Sequence, residues 1–341
     1  MKFSEDKKNA IQHYILEKIS QNTTSLSKKV SETFDVNQST IHSYITDLLE
    51  KNIIMKVKRG EYKLVTNSYK YILSRKNGDL DNDLYALEEC LISHISGFPQ
   101  NVQGIWDYVF SEMVNNVMDH SAAETATIHV IQDYINTTVI LSDNGVGIFK
   151  KLKDYFGFPS IDETICELFK GKLTTDSMNH SGEGIFFSSK LMDSFYILSS
   201  GNLFTNSKYA ESKYEDIKLL NNSSQSDIGT TVVMKLSNFS IKEVKDIFNL
   251  YEDSSGRFTK TILPLKNIFK TSLVSRSQAK RVCNNLDKFK EVIIDFDEIT
   301  WMGQGFAHQL FVVFTNHHPE TKIIPINMNE DVQKMYNHAI L

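Results

Sequence analysis

The stretch SEMVNNVMDHS (residues 111–121) places Glu112, Asn116 and His120 four residues apart. It closes a long helix predicted from about Ile105 to His120, and on a helix that spacing stacks three polar groups on one face. A carboxylate and a carboxamide one turn apart suit a nucleotide with its magnesium ion. Asn116 offers a neutral oxygen to the metal, and Glu112 can orient or deprotonate a water. Downstream, LSDNGVGI (141–148) sets Asp143 at the end of a strand, ahead of Gly145 and Gly147. An aspartate there can accept a hydrogen bond from an adenine amino group, while the glycines let backbone approach a ligand. HSGEGIFFSSKLM (180–192) is a glycine turn opening a helix, whose free amide groups face an anion. Gly229-Thr230 then precedes the apolar strand TVVMKL. Singly these pieces are ordinary, since Asp-Asn-Gly is a common turn. In this order they compose a nucleotide pocket.

Across roughly residues 85–237 the four elements resemble the GHKL superfamily of ATPases and kinases, in particular its anti-sigma-factor serine kinases. The N box corresponds to Glu112–His120, the G1 box to Asp143–Gly147, the G2 box to Ser181–Gly184 and the GT strand to Gly229-Thr230. The resemblance implies ATP and Mg2+ as cofactors, with adenine on Asp143, magnesium on Asn116 and phosphates under a lid spanning about 149–181. It implies cofactor contacts at Asn116, His120, Asp143, Gly145, Gly147, Ser181, Gly182, Gly184 and Thr230, and Glu112 as the catalytic residue. Helical register favours Asn116 over Asn115 as the metal ligand. Lys170, Lys172, Thr174 and Thr175 fall in the lid, where solvated surface is their expected fate.

Upstream, Ile11, Tyr14, Ile15 and Ile19 recur at helical spacing, a short second helix follows Thr24–Ser25, and a third follows the N-cap candidate Asn37. IIMKVKRGEYKLV (53–65) alternates apolar and basic residues about Arg59-Gly60, a hairpin pattern. Three helices and a basic wing predict a winged helix-turn-helix. Gln38, Ser39 and His42 on the third helix suit base edges, and Lys58 and Arg59 on the wing suit phosphates. Residues 1–76 hold 14 Lys and Arg against 8 Asp and Glu, a net of +6, whereas the remainder is −11. Duplex DNA is therefore expected as a partner of residues 1–66 alone. Residues 66–81 read as a linker, 149–181 as a long region of low order, and 239–258 as a second boundary.

The last 85 or so residues alternate helix and strand. SLVSRSQAKRV (272–282) and EVIIDFDEITWMGQGFAHQLF (291–311) resemble the STAS-like domains of unknown function attached to such ATPases. STAS proteins of the anti-anti-sigma type carry a phosphoacceptor serine just after this strand. Here the turn reads Met302-Gly303-Gln304-Gly305-Phe306, with no hydroxyl, so sensing by contact is expected instead of phosphorylation. Ser275 is read as a helix cap. A protein partner or a second copy of the chain is expected at this domain.

The length of 341 residues predicts two or three domains, and 41% hydrophobic with 23% charged residues predicts a soluble globular chain. No stretch of about 18 apolar residues occurs, and the N-terminal MKFSEDKKNAIQHYILEK does not read as a signal peptide, so no membrane contact is expected. Cys90, Cys166 and Cys283 fit buried free thiols in a reducing cytoplasm. The predicted chain is α+β and multidomain. It comprises a winged helix at 1–66, a GHKL α/β sandwich with helices on one face of a mixed sheet at 82–238, and a small STAS-like α/β domain at 258–341. The expected function is an ATP-responsive regulator, a slow ATPase whose lid state controls DNA or protein binding by the terminal domains. The alternatives are a serine/threonine protein kinase acting on a separate partner and a non-enzymatic scaffold that holds ATP. A histidine kinase is disfavoured, because His94 sits just before Gly97 and Pro99 rather than on a helical hairpin.

Overall fold

Three helices open the chain: α1 (Glu5–Ser20), α2 (Leu26–Phe34) and α3 (Gln38–Glu50). Ile11, Ile15, Ile19, Leu26, Val30, Ile41, Ile45 and Leu48 are buried together, as their spacing predicts. Ser4 caps α1 through its hydroxyl, while Asn37 stands at the N-cap of α3 without a side-chain bond. The strands β1 (Ile54–Lys58) and β2 (Glu61–Leu64) form an antiparallel hairpin. Only Ile54 of β1 is buried, and Met55 and Val57 are about half exposed. A two-stranded ribbon has no second layer to cover its face, so alternation here does not translate into burial. The architecture is α+β throughout, and the computed structural model describes residues 4–173, 182–206, 228–269 and 272–341.

The expected linker at 66–81 is a strand. β3 (Asn67–Ser74) pairs antiparallel with β4 (Thr125–Gln132) along its whole length, from Asn67↔Gln132 to Ser74↔Thr125. It is an edge strand, exposed on both faces over Asn67–Lys70, with only Leu73 buried, so in sequence it reads like a loop. β4, β5 (Asn136–Asp143), β6 (Ser194–Ser199), β7 (Asn202–Thr205) and β8 (Thr231–Ser237) complete a six-stranded sheet of order β3-β4-β5-β8-β6-β7. Every pairing in it is antiparallel.

Helix α4 (Asp83–Leu87) runs on through wider turns to Ile95, and α5 (Gln100–Asn115) buries Ile105, Trp106, Val109 and Phe110 in the central core. The span expected to lack order holds α6 (Ile148–Phe156) and α7 (Ile161–Lys170). Both are strongly amphipathic, and α7 is capped by the Ser160 hydroxyl accepting from Glu163 N–H. α8 (Gly184–Leu191) packs on α5. The second expected boundary also packs, since Phe248 of α9 (Val244–Tyr251) stacks on Phe187 at 3.9 Å between ring centroids.

One apolar core continues from the central sheet into the C-terminal part through Phe258, Leu263 and Leu265. There β9 (Lys260–Pro264), β10 (Glu291–Asp295) and β11 (Lys322–Ile326) form a parallel sheet of order β11-β10-β9. After the short α10 (Leu265–Ile268), α11 (Arg276–Cys283), α12 (Gln304–His308) and α13 (Glu330–Ile340) pack with it. Ser275 caps α11 in a full capping box with Gln278. Cys90, Cys166 and Cys283 are free and buried, and burial pushes their thiols up to about 12, 11 and 12. No helix among the described residues is long and apolar enough to cross a membrane.

Candidate functional site

Beyond Asn115 the helix α5 widens into a π-type turn, Asn116–Ser121, that ends at Ala122 in the left-handed region. Glu112, Asn116 and His120 all line one cavity of about 210 Å³. Its wall also includes Asp143 at the end of β5, Gly147, Ile148, Lys151 and Leu152 at the start of α6, Leu173 after α7, Gly182 just before α8 and Gly184 at its start, and Thr230 and Val232 at the start of β8. Four stretches far apart in the chain thus meet at one place. Asn115 turns elsewhere, its amide donating to Asp83 Oδ2 at 3.3 Å.

The base of the cavity is tied together by backbone. Asp143 N–H donates to Thr230 O at 2.9 Å, Ile148 N–H donates to Thr230 Oγ1 at 3.0 Å, and Gly145 N–H donates to Asp143 Oδ1 at 2.7 Å. Gly147 has φ 80, and a Cβ there would stand 2.7 Å from Ser199 Oγ, so only glycine fits this corner. At the opposite end, a Cβ on Gly184 would overlap the Glu112 carboxylate. Glu112 therefore lies against the amide end of α8, where the helix dipole favours negative charge.

Burial raises the Asp143 carboxyl above its ordinary range, opposed by the backbone N–H groups of Gly145 and Thr230. Burial lowers the Lys151 ammonium, opposed by Asp119, and its Nζ donates to His120 O at 2.7 Å. Asn116 Nδ2 meets Met113 Sδ at 4.0 Å, a weak contact that leaves the carboxamide lightly committed. Among the described residues no group of three or more His, Cys, Asp or Glu could hold a metal ion. A cation here would take Asn116 and complete its shell from the ligand and water.

Of the residues singled out in sequence, Glu112, Asn116, His120, Asp143, Gly147, Gly182, Gly184 and Thr230 line the cavity. Gly145 stands behind the wall, where a Cβ would collide with the Ser121 carbonyl. Ser181, Thr174 and Thr175 lie outside the described residues. Lys170, expected on solvated surface, is buried against the C-terminal part, because Glu167 pairs with it at 2.6 Å. Lys151 was not among the candidates. Its signal was the face it shares with Ile148 and Leu152, three and four residues apart on an amphipathic helix.

On the N-terminal unit, Gln38, Ser39 and His42 are exposed on α3, on the side away from Ile41, Ile45 and Leu48. Lys58 and Arg59 are exposed on the hairpin, with Lys58 Nζ paired to Glu61 at 2.8 Å. In the C-terminal part Gln304 is exposed at the start of α12, and Gly303 N–H donates to Leu273 O at 2.7 Å. No match to a curated protein was found. Residues 278–333 match the family of STAS-like domains of unknown function (DUF4325), and the C-terminal part of the chain is a domain of that kind.

Proposed function

We propose that the cavity binds ATP with magnesium in the manner of a GHKL nucleotide site, and that the chain is an ATP-responsive regulator with slow ATPase activity. The observation that carries this reading is the meeting of Glu112, Asn116, Asp143, Gly182, Gly184 and Thr230 in one cavity. Its volume lies below the range of about 300–1,000 Å³ for small-molecule sites, which suits enclosure of a base with the phosphates at the mouth. In this reading Asp143 accepts from the adenine amino group, and its burial makes that bond selective. Asn116 takes one position on the magnesium ion, which supplies charge neutralisation at the phosphates when bound. The amide end of α8 faces the phosphates, and Glu112 beside it orients the attacking water.

The terminal units give the response its outlets. A winged-helix reading of residues 1–66 is supported by three helices followed by a hairpin and by 11 Lys and Arg against 8 Asp and Glu there, a net of +3, the other three cations of residues 1–76 lying in or just after β3 of the central sheet. Duplex DNA is the partner that this charge and the exposed Gln38, Ser39, His42 and Arg59 favour. The STAS-like domain would act by contact, since Gln304 carries no hydroxyl at the turn after β10.

Calorimetry with Mg-ATP tests the pocket: wild type should bind, and Asp143→Asn should bind more weakly by about 1.5–3 kcal/mol. Equal affinity in both would remove the assignment. Incubation with γ-labelled ATP then sorts the chemistry. Free phosphate supports the ATPase, label on protein supports a serine kinase, and neither supports a scaffold that only holds nucleotide.

A further inference from the structure

Helix α7 carries a buried ion pair, Glu167 and Lys170, that takes no part in the cavity wall. Lys170 and Glu167 side chains are 1% and 4% exposed, and their polar capacity is completed by the STAS-like domain. Lys170 Nζ donates to Arg281 O at 3.0 Å and to Asn284 O at 2.6 Å, at the carbonyl end of α11 where a cation is favoured. Asn285 Nδ2 donates to Glu167 Oε2 at 3.0 Å, and Asn284 Nδ2 donates to Glu163 Oε1 at 2.7 Å. Thr261 Oγ1 of β9 donates to Lys170 O at 2.9 Å.

From this clamp the chain turns directly to the cavity. Gly171 and Lys172 both adopt left-handed backbone, φ 82 and 61, the second an uncommon state for lysine. Neighbours over-determine it: Lys172 Nζ donates to Lys288 O at 3.0 Å and lies over the Phe289 ring at 4.5 Å. Leu173 follows and lines the cavity. Gly182, also in the wall, is packed so closely on this turn that a Cβ would stand 2.7 Å from Leu173 N. Two wall residues, Leu173 and Gly182, are thus packed on each other, and Leu173 is three residues from Lys170.

We propose that residues 170–173 couple the cavity to the STAS-like domain. Ligand occupancy sets the seating of Lys170 on α11, making the 276–290 segment the part of that domain that responds. The inference rests on the nucleotide reading of the cavity. It places the contact at the end of α11 and away from the Gln304 turn.

The test uses the full chain with a non-hydrolysable ATP analogue and magnesium. Hydrogen exchange of residues 276–290 in wild type should change on binding, and the change should be lost in Lys170→Met. Coupling is reciprocal, so Lys170→Met, which touches no cavity residue, should shift analogue affinity by roughly fivefold or more. Asn285→Gly provides a milder variant, keeping the left-handed backbone (φ 56) while removing the amide that holds Glu167, and should shift affinity in the same direction. Binding with unchanged exchange at 276–290 and wild-type affinity in folded Asn285→Gly would overturn the coupling while leaving the cavity reading intact. Absence of analogue binding to wild type would remove the cavity reading, and the coupling with it.

Discussion

Two sets of charges lie in the interior of this protein, and their partners differ. At the joint between α7 and the STAS-like domain, Glu167 and Lys170 are fully buried, and their contacts close within the protein through Arg281, Asn284 and Asn285. In the cavity, Asp143 and Lys151 are shifted toward their neutral forms mainly by burial, opposed in part by backbone N–H groups at Asp143 and by the Asp119 carboxylate at Lys151. Satisfied charges fix a geometry. Charges held at a desolvation cost are those a ligand can satisfy, which is why perturbed groups in a cleft point to a site.

The largest effect is expected at the joint. Lys170→Met leaves Glu167 buried without its cation, and loss of one partner of a buried pair costs about 3–5 kcal/mol. Adding Glu167→Gln should recover only part of this, because Arg281 O and Asn284 O still lose a donor, at about 1–3 kcal/mol for such groups. Denaturant unfolding of the two variants checks the order. A Lys170→Met protein as stable as wild type would mean that the pair is not closed as described.

The next effect separates stability from binding at Asp143. In Asp143→Asn the analogue affinity should fall by about 1.5–3 kcal/mol, the worth of a hydrogen bond to a charged group. The unliganded protein should become more stable at neutral pH, read as a higher thermal midpoint. The sign follows from the raised carboxyl. Between the unfolded value near 3.9 and the higher folded one, the folded state holds more protons, so stability declines as pH rises through that window. Wild-type affinity should fall on acidification at a pH above the ordinary aspartate range, and the asparagine variant should show no such step. Thermal melts and calorimetry on the same samples read both quantities.

Much of the cavity lining was legible because its polar residues and glycines recur at fixed spacing on a helix and at strand ends. Glu112, Asn116 and His120 announce themselves by helical register, and Asp143 and Gly147 by a strand ending in a tight corner. What escaped was decided by tertiary partners. β3 reads as a linker because five of its eight residues are exposed and only Leu73 is buried, and it becomes a strand only beside β4. β9 is five residues ending in Pro264, too short to stand out without β10. Helices α6 and α7 are only nine and ten residues long, so their amphipathic periodicity is brief and their apolar faces gain meaning only when packed. Lys170 cannot be told from a surface lysine until Asn284 and Arg281 are brought to it, 111 or more residues along the chain.

Glu112→Gln should leave analogue affinity within about twofold and abolish phosphate release, since a water-orienting carboxylate acts on the transition state more than on bound nucleotide. Turnover equal to wild type would reassign the base.

The smallest effect is expected at Lys151, where the comparison is sharpest. Whereas Lys170 is closed in by Glu167, Arg281 O and Asn284 O, this lysine is held back by desolvation, and among the described residues its Nζ donates to His120 O. Its folded value lies below that of the unfolded chain, so between the two the unfolded state holds more protons and stability rises with pH. Replacement by methionine removes the desolvation cost together with that bond, and unliganded stability should stay within about 0.5 kcal/mol of wild type. Binding should behave otherwise. A nucleotide phosphate favours the charged ammonium, so wild-type affinity should decline as pH climbs through the lowered value, before an ordinary lysine would titrate. In Lys151→Met affinity at neutral pH should be weaker by about threefold to tenfold, and the alkaline decline should flatten, as the loss of one exposed-to-partly-buried charge contact predicts. Calorimetric titrations from pH 7 to 10 with the magnesium analogue measure the slope. An unchanged alkaline decline in the variant would show that Lys151 does not meet the ligand, and would class it with Lys170 as a charge spent on the fold.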